Sequence, residues 1–332
     1  MHALLRLCTL AWCCLFINAC SKSLAPDHSL EVAAAGLHSA ALSQDGTLAV
    51  IGSIYHGGSF WLLGSEERKY NWNHSSSEPS TFISASISSD GLWALTADPA
   101  TLVLWETQSG EAYRFWSAPG EILDVALGPG AATALVGLSD HSAVLFDVQR
   151  GGIKQTFKHE NRVRSVDLSE NGELAITGSE DASVALWNTH DGKQLLRVKH
   201  EDDVQLVKLS GDGALALSVS KYDKALLWHT HNGEVLGELP LKAQHLKRGL
   251  MFTTARFSAD NQYLLTGRPD QIVQLWRIPQ LQEIARWKLP KRKKWKPTSA
   301  AVLALSFGKQ PNTFVAVASN GFIHHLSLRS AQ

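Results

Sequence analysis

Residues 163–199 read VRSVDLSENGELAITGSEDASVALWNTHDGKQLLRVK, and the fold is decided in this stretch. At its start Val166 and Leu168 alternate with Ser165 and Asp167, the period of two with which a strand turns one face to a core. Glu170-Asn171-Gly172 then reverses the chain, with Asn and Gly supplying the positive φ of a tight hairpin. LAITGS and SVALW follow as second and third strands, separated by Glu180-Asp181; THDGK turns again, and QLLRV makes a fourth. Such a four-stranded unit cannot bury its faces alone, so it predicts a stack of similar units.

The stack is written in the aromatic residues. Trp105, Phe146, Trp187 and Trp228 stand 41 residues apart, Trp61 lies 44 before the first and Trp276 lies 48 after the last. A turn pair precedes each: Asp45-Gly46, Asp90-Gly91, Pro129-Gly130, Asn171-Gly172, Asp212-Gly213 and Asp260-Asn261. Gly110, Gly151, Gly192 and Gly233 mark a second turn after four of them, and a weaker seventh unit occupies 303–328. A period near 40–45 residues with short strands implies a propeller.

These repeats resemble the WD40 family over roughly residues 30–328, most closely at TGSEDASVALWNTHDGK. The resemblance implies an all-β, seven-bladed WD40-type propeller of four-stranded antiparallel blades. It also implies a buried hydrogen-bonded set in repeat four: His159, Thr177, Asp181 and Trp187. Repeat five offers His200, Ser218 and Trp228, with Asp223 displaced by one; repeat six offers Thr266, Asp270 and Trp276 without a matching His. Repeats one, three and seven lack most of the set, and Ile51 and Tyr55 take the places of Thr and Asp in repeat one. The last repeat ends at Arg329 after three strands. An N-terminal strand over 30–35 is therefore expected to close the ring beside 322–328, as the outer strand of blade seven.

All four cysteines, Cys8, Cys13, Cys14 and Cys20, lie at the N-terminus. The folded body therefore has no disulfide framework, Cys-ligated zinc or thiol nucleophile. Arg6 precedes an uncharged run from Leu7 to Ile17, too short to cross a bilayer but suited to a secretion signal. Ile17-Asn18-Ala19-Cys20 resembles the lipobox of bacterial lipoproteins. That implies a signal peptide over 1–19, lipid on Cys20, a tether over 20–29 and a propeller over 30–329, held to the outer membrane and facing the periplasm of a Gram-negative cell. The other reading is an ordinary signal peptide whose Cys20 stays a lone thiol.

Lys plus Arg is 31 and Asp plus Glu is 31, which argues against polyanion binding by bulk charge, and no nucleic-acid partner is expected. A His–Asp–Ser/Thr group can resemble a hydrolytic triad, but this one recurs at the same phase of repeats four to six, as buried polar locks do. No catalytic residue is assigned. Histidines at 190, 229, 231, 324 and 325 lack the spacing of a metal motif, so neither metal nor cofactor is expected. Two loops stand out: WKLPKRKKWKP at 287–297 and YNWNHSSSEPSTF at 70–82. Both fall between the outer strand of one repeat and the first strand of the next, so both should rise on one face. Tyr70 and Trp72 from one loop, with Lys291, Arg292, Lys293, Lys294 and Trp295 from the other, are the candidate site for an anionic protein partner. By analogy of fold the chain is expected to be a monomeric, non-enzymatic interaction scaffold. The alternatives are a propeller hydrolase or lactonase with a channel metal, and an outer-membrane assembly lipoprotein, whose propeller has eight blades.

Overall fold

The computed structural model describes residues 23–75, 79–222, 224–241, 251–293 and 300–328. Its strands form seven four-stranded antiparallel sheets. In six of them the strands pair in chain order, and these blades span 37–72, 84–117, 122–158, 163–199, 204–239 and 254–288. The first strand of every blade packs against the first strands of its two neighbours, so the sheets stand radially around a central channel. The first strand is thus the innermost and the fourth lies at the rim.

Blade seven takes its outer strand from the other end of the chain. His28–Glu31 pairs antiparallel with Phe322–Ser327, with Leu30 opposite Ile323. The expected closure is there, but two residues earlier than the 30–35 span: pairing starts at His28 opposite His325, and the chain bends away after Glu31. The segment expected as a free tether also joins the ring sooner. Leu24 forms a parallel bridge to Trp287 in the outer strand of blade six; its amide donates to the Arg286 carbonyl (2.7 Å), and its own carbonyl accepts from Lys288 (2.9 Å). Residues 24–31 therefore staple the rims of blades six and seven together.

Hydrophobic side chains fill the wedges between blades. Trp72, 1% exposed, stacks on Phe60 of its own blade and on Trp105 of the next, each at 4.9 Å between ring centroids. Phe157 repeats this contact against Trp187 two interfaces later, also at 4.9 Å.

An innermost strand is a sheet edge whose outward amides need acceptors. Side chains of the preceding blade supply them. The amides of Val125 and Leu127 donate to Ser84 and Ser86, that of Val166 to Asp124, that of Val207 to Ser165 and that of Leu209 to Asp167, at 2.9–3.3 Å. The polarity of the channel wall is first of all a seam between blades.

Candidate functional site

The upper face is taken here as the one carrying the loops between blades and the turns between second and third strands. In blade four it holds the expected polar set. The Trp187 indole N–H donates to Thr177 Oγ1 (2.8 Å), Thr177 Oγ1 lies 2.7 Å from His159 Nε2, and His159 Nδ1 lies 3.0 Å from Asp181 Oδ2. Asp181 also accepts from Ser183, the Glu160 amide and Arg197. Burial pushes the Asp181 carboxyl up, but these bonds outweigh it and hold the group at about 2. Burial likewise pushes the His159 imidazole down, against the pull of Asp181. A neutral ring donating from Nδ1 to a carboxylate satisfies every member of the chain, which is how a buried polar group is kept in place. Thr177 hydroxyl is the acceptor of one bond and the donor of the next; no nucleophile is left pointing at open space.

In blade five His200 Nε2 lies 2.9 Å from Ser218 Oγ, which accepts from the Trp228 indole (3.2 Å). Asp223 lies outside the described residues. In blade six Trp276 donates to Thr266 (2.8 Å), while Asp270 turns to the buried Arg268 in a two-pronged pair at 3.0 and 2.9 Å.

Blade two has a complete lock that the repeat pattern did not reveal. His74 Nε2 lies 2.8 Å from Thr96 Oγ1, His74 Nδ1 3.1 Å from Asp98 Oδ2, and Trp105 donates to Thr96 (2.8 Å). His74 stood in a loop read as a recognition surface. Longer spacing hid its phase: His159 precedes Thr177 by 18 residues, His74 precedes Thr96 by 22.

The other members of the proposed partner site are redistributed. Tyr70 and Trp72 belong to an outer strand, Glu67–Trp72, not to a loop. Trp72 is buried between blades and donates to the Gly110 carbonyl (3.0 Å), so it presents nothing to a partner. Tyr70 is half-buried; its hydroxyl donates to the Gln108 carbonyl, and its ring presses on Gly110, where φ is +77° and a Cβ would strike the ring. Arg292 is also engaged. Its guanidinium donates to Glu31 Oε1 (2.7 Å), to the carbonyls of Ala33 and Asn320, and lies over the Phe322 ring at 4.8 Å. It is a clamp on the closing strand, not a free cation. Lys291 and Lys293 are exposed, while Lys294 and Trp295, like Cys20, lie outside the described residues. Among the described residues, the turns between second and third strands on this face carry two exposed aromatics, Tyr55 and Tyr222, at 68% and 60%. Both sit in turns between second and third strands, where blade four carries Asp181. Tyr55 at the phase of Asp181 was the signal in the sequence, since a phenol there has no lock to join.

The channel forms a cavity of about 340 Å³ that touches the innermost strands of all seven blades. Asp124 bridges three of them, accepting from Ser84, Ser165 and the Val125 and Val166 amides. Its burial pushes the carboxyl up, against Lys208 and these donors. Among the described residues no three His, Cys, Asp or Glu side chains gather as metal ligands, and no helix is long and apolar enough to cross a membrane.

Comparison with curated proteins finds no match. Residues 151–188 match the family model described as WD domain, G-beta repeat. The matched stretch is one sequence repeat rather than one blade: it begins beside the outer strand of blade three, Ile153–Lys158, and runs through the three inner strands of blade four. That offset is why the first outer strand of the ring must come from the N-terminus. The chain is a seven-bladed β-propeller, and together with the matched repeat this architecture supports the WD40 propeller family.

Proposed function

We propose that the chain is a protein-interaction scaffold, non-enzymatic, and tethered through lipid on Cys20 at the periplasmic side of a bacterial outer membrane. The observation that carries the scaffold reading is the upper face. Locks in blades two and four fix loops and turns of this face, and on the same face Tyr55 and Tyr222 stand out to solvent. Exposed tyrosines bring large contact area at small entropic loss, and they anchor many protein interfaces. Lys291 and Lys293 on the same face add positive charge, which suits a partner with an acidic patch and hastens encounter. The tether reading rests on Ile17-Asn18-Ala19-Cys20 after an eleven-residue apolar run.

Two experiments test these readings separately. Tyr55→Ala with Tyr222→Ala should weaken capture of the native partner from crosslinked membranes about tenfold or more, as loss of interface anchors does; undiminished capture by the folded double variant refutes the face. Cys20→Ser should release the protein from carbonate-washed membranes, and retention there refutes the anchor.

A further inference from the structure

The channel wall departs from its own pattern in two blades. The strand pairings place Ala41, Ser86, Ala126, Asp167, Lys208, Arg256 and Ser306 at one level of the seven innermost strands. At this level Ser86 and Asp167 accept an amide from the following blade. Lys208 and Arg256 have no acceptor to offer, so the seam between blades does not account for them. Lys208 has a local reason: its ammonium lies 3.5 Å from Asp167. Arg256 has none. Among the described residues its guanidinium makes no hydrogen bond and no ion pair within 4 Å, and the carboxylates it feels, Asp167 and Glu170, act from further off. Both are occupied: Asp167 by Lys208 and the Leu209 amide, Glu170 by the Gln44 side chain (2.6 Å).

Arg256 is half-buried, and a guanidinium whose five donors meet no protein acceptor is open to a ligand that accepts from them. Arg256 borders both the 340 Å³ cavity and a smaller one of about 100 Å³ below it, so it stands at the waist of the channel. Across the channel the residues at its level are small. Ser86 accepts the Leu127 amide, which leaves its hydroxyl hydrogen free to donate inward. We propose that this waist is a binding site for a small oxyanion, a carboxylate or phosphate group gripped by the fork of Arg256 and met by Ser86. The geometry of a planar fork suits either group. The site is independent of the upper face.

Calorimetric titration of the purified full chain, at constant ionic strength, with succinate and separately with inorganic phosphate tests this. Saturable binding of one ligand per chain in either arm is expected, and the stronger arm identifies which source the site serves. Arg256→Gln should weaken binding about tenfold or more, the loss expected for charge-assisted bonds. Arg256→Lys should weaken succinate more than phosphate, because it keeps the charge without the fork. Should Arg256→Gln fail to fold, Ser86→Leu fills the facing side and should abolish binding as well. Absence of binding to both probes, or binding unchanged in the folded variants, overturns the site.

Discussion

Thr177→Val probes the lock of blade four with little change of shape. Thr177 is fully buried, and its Oγ1 is the junction of the set, 2.8 Å from the Trp187 indole nitrogen and 2.7 Å from His159 Nε2. Valine fills nearly the same volume but leaves an indole N–H and an imidazole nitrogen buried without partners. Each orphaned group costs roughly 1–3 kcal/mol, so the substitution should cost about 3 kcal/mol. For a chain of this size the unfolding entropy is ~0.6 kcal/mol/K, and the Tm should fall by about 5 °C in differential scanning calorimetry. Thr96→Val in blade two should give a drop of similar size, because Thr96 joins His74 to Trp105 with the same geometry. A shift below about 1 °C in both variants would mean that the chain of bonds contributes little and that blade rigidity has another source.

Arg292→Ala should loosen the closing strand: loss of its bonds to Glu31, Ala33 and Asn320 should cost about 2 kcal/mol and speed hydrogen exchange at Leu30 and Val32. Unchanged exchange there refutes the clamp. Acid should weaken the same seam. His324 is buried, its Nδ1 lies 2.7 Å from Ser29 Oγ on the closing strand, and it is held by burial at about 4, below its ordinary 6.5. The unfolded chain therefore takes up this proton first, so the contribution is whole above pH 6.5 and is lost as pH falls towards 4, at most about 3 kcal/mol. Because His74 and His159 are also pushed down, His324→Gln should flatten the fall of Tm with acid only in part; an unaltered slope would refute the role of His324.

Tryptophan spacing and turn glycines were enough to place seven blades, because a strand of period two between tight turns has one way to bury its face. What failed was whatever depended on contacts distant in sequence. Trp72 beside Ser and Asn looked like a loop aromatic. Its equivalents by strand pairing, Phe157 and Trp287, are both buried, and that phase was readable. Arg292 sat in a run of lysines, and nothing local distinguishes the one cation that meets Glu31 some 261 residues away. Polar pairing such as His28 opposite His325 leaves no hydrophobic trace, which is why the closing strand was placed two residues late. Arg256 drew no notice, since a single cation in a strand is ordinary until the same level is compared around the ring.

The early capture of Leu24 by the rim of blade six bears on how the disc would sit. If Cys20 carries acyl chains, four Cα–Cα steps separate it from Leu24 and the bridge to Trp287, a leash of at most about 14 Å. So short a leash would tie the rim between blades six and seven to the headgroups. The propeller would then stand on edge like a wheel, its axle parallel to the bilayer. Neither flat face would be pressed against lipid, and the tyrosines of one side and both mouths of the channel would stay open to the aqueous space.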